Sequence, residues 1–239
     1  MINLNSSDFI KNWDCLYYYE SDLRTIITAE KNLIIQSENY IKELRKTFNE
    51  DIGNDAELNY KPKNYEEGSF QEQYYQHYYG DSEEILNRIA QSQRKSFVLS
   101  IFSIVEGQLK LIANLVENNF DFKIKIKHLT GENYIDRYWL YITRVYGIEY
   151  NEVEKEYNLI KQQQYVRNRI AHRNSEIDES RLNFINDTKG LKFVKFGSDY
   201  LVEISDSNYV HELIKNIEIF FHNLSKAVDK RYKEIKNAG

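Results

Sequence analysis

The sequence predicts an all-α fold: an antiparallel bundle of long helices with a small β-hairpin inserted before the last one. Three observations carry this. Only one proline and nine glycines occur in 239 residues, so little interrupts a helix. Apolar residues recur at three-, four- and seven-residue steps over several long stretches. A single stretch near the C-terminus alternates instead with the period of two that marks strands. Hydrophobic content of 41 % is enough for a core, and the length suits one large domain or a domain with an appended segment.

In chain order, Ser6-Ser7-Asp8 offers N-cap candidates for an amphipathic segment over 8–48, as one helix or as two with a break near 18–21. Its stripe is Leu23, Ile27, Ile34, Ile41, Leu44 and Phe48. Residues 51–81 hold the proline and the run Tyr74-Tyr75-Gln76-His77-Tyr78-Tyr79, and read as a long connection, with room for one short helix, between an N-terminal helical segment (1–50) and the main helical domain (82–236). A second long helix is expected over 82–118. Its most apolar part, 97–115, contains Glu106, Gln108 and Lys110, as a buried helix does and a membrane span does not. A third helix is expected over 133–146, ended by Gly147, and a fourth over 151–173, stopped by Asn174-Ser175. The hairpin falls at 191–204 around Gly197-Ser198-Asp199, and the last helix at about 206–235.

The single Cys15 rules out an intramolecular disulfide and a Cys-rich zinc site. With no basic n-region after Met1, a cytoplasmic protein without a membrane segment is expected. Histidines show no metal-ligand spacing, and neither a phosphate-cradling glycine loop nor a Gly-x-Ser-x-Gly elbow occurs; no cofactor is expected. A net charge of −5 argues against general coating of nucleic acid. One stretch runs against that balance. Between Glu156 and Glu176 there is no acidic residue, while Lys161, Arg167, Arg169 and Arg173 lie there.

That stretch contains Arg167-Asn168-Arg169-Ile170-Ala171-His172. Arginine stays protonated and presents a planar fork to phosphate oxygens. Histidine as a residue type titrates near neutrality and serves as acid or base. Asn168, one turn before His172, can orient the imidazole or bond a phosphate. On a helical wheel Leu159, Gln163, Val166 and Ile170 form the expected core face, with Lys161, Tyr165, Asn168 and His172 opposite at i, i+4, i+7 and i+11. Arg167 falls about 140° from His172, so one chain does not complete a site unless Arg167 wraps around the helix.

The motif resembles the Arg-x4-His signature of HEPN-domain ribonucleases, over about residues 82–235. The resemblance implies a HEPN-like bundle that dimerises so that paired motifs line one cleft. It also implies a metal-independent endoribonuclease of toxin or antiphage type, with RNA as substrate and an antitoxin or defence protein as partner. Carried onto this sequence, it places Arg167, Asn168 and His172 in the catalytic site. Glu106 is a supporting carboxylate that can pair with Arg167 or Arg169, and Lys161, Tyr165, Arg169 and Arg173 are supporting RNA contacts. The N-terminal segment and the hairpin lie outside the minimal bundle. A non-catalytic helical module that binds RNA, nucleotide or protein through the same groove is the alternative; a purely structural adaptor is a third.

Overall fold

A computed structural model describes residues 19–55, 68–131 and 133–238, and it is mostly helical with one small antiparallel sheet. A π-helical turn at Tyr19–Leu23 leads into α1 (Arg24–Gly53). Over the described part of 18–21 the chain is helical without interruption, and the helix type changes from π to α at Arg24. The caps at Ser6-Ser7-Asp8 and Cys15 lie outside the described residues. Helix α2 (Phe70–Asn119) is continuous through a π turn at Gln76–Gly80. It begins twelve residues before the expected start at 82, so much of the expected connection is helix. Ser69 caps it by accepting the Glu72 backbone N–H at 3.2 Å.

Helix α3 (Tyr134–Leu140) continues in a π turn (Tyr141–Tyr146) and stops at Gly147, whose φ of +82° is a left-handed cap. Then come the motif helix α4 (Glu154–His172), a two-residue strand β1 (Glu176–Ile177) and a short α5 (Leu182–Asp187). Strands β2 (Leu191–Phe196) and β3 (Asp199–Ile204) form the expected hairpin, and α6 (Asn208–Ala238) completes the fold. Strand order is β1-β3-β2, all antiparallel. The sheet thus has one strand more than expected, too short to show an alternation of its own.

Helix α2 is the centre. Val98, Ile101, Phe102, Val105, Leu109, Ile112, Ala113 and Val116 are all buried, and α1, α3, α4, α6 and β3 pack on it. It is long and apolar enough in composition to cross a membrane, yet this apolar face is covered by the other helices. From α6, Val210, Leu213, Ile214, Ile217, Phe220, Phe221, Leu224 and Val228 close the core, the stripe expected from its spacing.

Polar clamps set the register of these layers. Arg94 on α2 grips both carboxylate oxygens of Glu38 on α1 at 2.7 and 2.8 Å and donates to the carbonyls of Ile204 and Ser205. Gln91 exchanges two bonds with the Ile204 backbone, at 2.9 and 3.0 Å. The sheet is therefore bolted to the bundle: Leu191, Val202 and Ile204 point inward, and a two-residue turn with Gly197 at φ +62° joins β2 to β3.

Leu109 is fully buried at the middle of this packing. Truncation to alanine is expected to cost about 3 kcal/mol; urea unfolding followed by helical circular dichroism measures it, and a loss below about 1 kcal/mol would contradict the central placement of α2.

Candidate functional site

The motif helix is held on three sides. Toward the core it buries Tyr157, Ile160, Gln164 and Val166, a face rotated from the expected Leu159, Gln163, Val166 and Ile170, of which only Val166 is buried. The cause is Tyr157. Its ring stacks on Trp139 of α3 at 4.0 Å and 11°, and its hydroxyl donates to Asp136 at 2.9 Å, so an amphipathic aromatic took the place that aliphatic counting assigned to Leu159. Toward α6, Tyr209 donates to Gln163 at 2.7 Å and Asn223 to Glu156 at 3.2 Å. Burial pushes the Tyr209 phenol up, so it stays a neutral donor at any ordinary pH.

The helix ends abruptly. Arg173 and Ser175 both donate their backbone N–H to the Arg169 carbonyl, at 3.1 and 2.9 Å. Asn174 and Ser175 then take left-handed φ values of +49° and +72°. Asparagine tolerates that region and serine rarely does. The kink drops the chain into β1, where Val202 donates to the Ser175 carbonyl at 2.8 Å, and returns Asp178 to the side of α4.

That return changes the electrostatics of the stripe. Asp178 accepts from the Tyr165 hydroxyl at 3.1 Å, gives its backbone N–H to the same oxygen at 3.1 Å, and pairs with Arg169. The Arg169 guanidinium also lies over the Tyr165 ring at 4.7 Å, and that of Arg181 at 5.3 Å. One turn back, Lys161 donates to Asp136 at 2.7 Å. Asp136 is itself fixed by Asn133, whose side chain accepts the Asp136 N–H at 3.0 Å and donates to its carboxylate at 2.8 Å, a reciprocal cap on α3. A stretch free of acids in sequence is thus lined by two acids in space.

What remains open is the C-terminal end of the helix. Asn168 and His172 are exposed and Arg167 is half-buried. Arg167 wraps toward the exposed face and donates to the Asn168 side-chain oxygen at 3.0 Å, covering part of the angular gap that separates it from His172. His172 stands one turn beyond Asn168, and Arg173 is exposed at the cap. The structure brings Arg167 and Asn168 together, sets His172 beside them, and holds Lys161, Tyr165 and Arg169 in neighbouring pairs.

Glu106 is not among them. It sits half-buried on α2 beside α3, where burial first and the Glu106 carboxylate second push the Tyr138 phenol up. The expected pairing with Arg167 or Arg169 does not occur among the described residues, because Asp178 takes Arg169 and Asn168 takes Arg167.

Asp136, Asp178, Arg181 and Phe184 were not singled out from the sequence. Asp136 was readable as the third residue after an Asn N-cap. Asp178, Arg181 and Phe184 meet α4 only through the left-handed kink. Two depressions flank the Lys161–Asp136 pair: one of about 600 Å³ against Trp139, Leu140 and Tyr157, and one of about 250 Å³ between Lys161, Gln162, Tyr165, Arg181 and Phe184. Among the described residues, no group of three or more His, Cys, Asp or Glu side chains converges as a metal site would require. No family model, curated protein or solved structure matches this chain.

Asp136 joins three partners from a mostly buried position. Replacing it with alanine is expected to cost about 2 kcal/mol through the lost cap and hydrogen bonds. Thermal unfolding measures that loss, and a variant as stable as the parent would show the hub to be dispensable.

Proposed function

We propose that the chain is a HEPN-like endoribonuclease acting without a metal, with its active site completed across the two-fold axis of a homodimer. The observation that carries this reading is the bond from Arg167 to Asn168 beside an exposed His172, at the end of one rigid helix.

In the mechanism, a base takes the proton of an RNA 2′-hydroxyl and the freed oxygen attacks the adjacent phosphorus. The bond from phosphorus to the 5′-oxygen breaks, and an acid protonates that leaving oxygen. A cyclic 2′,3′-phosphate and a 5′-hydroxyl result. His172 of one protomer supplies the base and the same residue of its partner the acid. Arg167 stabilises the charge on the phosphorane, and Asn168 holds the guanidinium and bonds a phosphate oxygen. One protomer has one such histidine, which is why the reading requires a dimer. Arg173, exposed at the helix end, adds a phosphate contact. Lys161, Tyr165 and Arg169 support strand binding from their paired positions, whereas Glu106 keeps no supporting role in this reading. A cytoplasmic toxin or antiphage effector, restrained by an antitoxin or defence partner, fits such an activity.

The second reading is a helical module that binds RNA, nucleotide or protein on this face without cleaving. The neutralisation of Lys161 by Asp136 and Arg169 by Asp178 favours it, since it lowers the positive charge available to a transition state.

Purified protein with mixed RNA, including tRNA, in excess EDTA is the direct test. Cleavage to products with cyclic phosphate ends is expected. His172→Ala and Arg167→Ala are each expected to lower the rate by a factor of about 10² to 10⁴. Activity that survives both substitutions removes these residues from the site. Inactivity of the parent at high concentration leaves the binding module as the reading. Sedimentation should give a dimer; an active monomer would exclude the shared site.

A further inference from the structure

The depression between α4 and α5 points to a specific task in the reading just given. Its walls come from Lys161, Gln162 and Tyr165 on one side and Arg181 and Phe184 on the other. Three of these five, Lys161, Tyr165 and Phe184, are held in place by contacts within the fold. The Tyr165 hydroxyl is tied to Asp178, Lys161 to Asp136, and Phe184 meets the Tyr165 ring edge-on at 6.4 Å and 80°. Walls that need no ordering raise affinity for whatever fits between them.

The chemistry on offer is aromatic and hydrogen-bonding rather than purely anionic. Arg169 gives its charge to Asp178, but Arg181 is exposed, touches only the Tyr165 ring among the interactions described, and has its fork available. Gln162 is exposed beside it with an amide that donates and accepts. The Arg169 and Arg181 guanidiniums already lie over the Tyr165 ring, so Phe184 is the ring left for an unpaired nucleobase to stack on, with Arg181 and Gln162 at its edge. Along the helix axis, Tyr165 lies seven residues or about 10 Å from His172. A base in the groove beside Tyr165 and a phosphate at His172 therefore belong to different nucleotides of one strand.

We propose that this groove holds the base of a nucleotide neighbouring the cleaved bond, and that Arg181 and Gln162 read its edge. A base seated there has left its stack, so the substrate is unpaired around the cut. The inference rests on the ribonuclease reading, and it fails or survives separately in the following experiment.

The His172→Ala protein, unable to cleave in that reading, is titrated against a fluorescein-labelled single-stranded oligoribonucleotide of mixed sequence, and against the same strand in a duplex. Adding Arg181→Ala or Phe184→Ala is expected to raise the Kd for the single strand about tenfold, with weaker binding of the duplex throughout. Arg181 is exposed, so its variant tests the groove even where Phe184→Ala perturbs the fold; circular dichroism separates the two. Unchanged affinity in both variants, or a duplex bound as tightly as the single strand, overturns the groove. In the parent, Arg181→Ala is expected to relax base preference at one position beside the cut, and an unaltered cleavage pattern counts against it. Groove variants that lose affinity while the parent cleaves no RNA would sink the ribonuclease reading and leave the groove standing.

Discussion

Everything in this molecule depends on burying the apolar face of α2. From Val98 to Val116 the apolar face of this helix is covered by α1, α3, α4 and α6. Burial of this kind is proportional to area and indifferent to direction. It gathers the helices without deciding how each is rotated or how far it slides. Rotation and register are decided by the buried polar clamps, whose cost if broken exceeds their gain when made. Arg94 and Gln91 do this for the sheet, and Asp136 does it for α3 against α4.

The division explains what could be read from the sequence. Long aliphatic stripes such as Val210 to Val228 announce both a helix and its inward face. The last helix, the hairpin and the stop at Gly147 were all legible in this way. The motif helix was legible as a helix and misread in rotation. Beside Ile160 and Val166, its inward face takes in Tyr157 and Gln164, residues a wheel scores as amphipathic or polar, and Leu159 is left half-exposed. A tyrosine that stacks on a tryptophan and reaches a carboxylate outweighs one leucine. The stretch 70–81 allows a short helix in sequence but does not announce its continuity with α2, for a related reason: its face is a ladder of Tyr74, Tyr75, Tyr78 and Tyr79, not an aliphatic stripe. Elements as short as β1 and α5 contain fewer than two periods of their patterns, too few for a repeat to show.

The motif region shows a similar limit. Local charge counting found a cationic stretch correctly, but charge acts through space. Asp136 precedes the stretch by a loop and Asp178 follows it by a left-handed kink, and both come to rest against it. The result is a division of labour along one helix. Its middle is pinned by carboxylates and rings, and its end carries Arg167, Asn168 and His172 toward solvent. In the reading proposed above, a rigid platform with a small exposed tip suits precise placement of a phosphate better than a diffuse basic surface does.

The bonds that join α4 to α6 also order events in time. Gln163 and Glu156 find their partners on Tyr209 and Asn223, 46 and 67 residues later, and Gln91 meets Ile204 across 113 residues. A chain made from its N-terminus forward completes the motif before making the helix that seats it. On the ribosome, the motif helix is without its full support until α6 has emerged. The long-range connectivity of the fold thus delays the full seating of α4 until most of this chain has been synthesised.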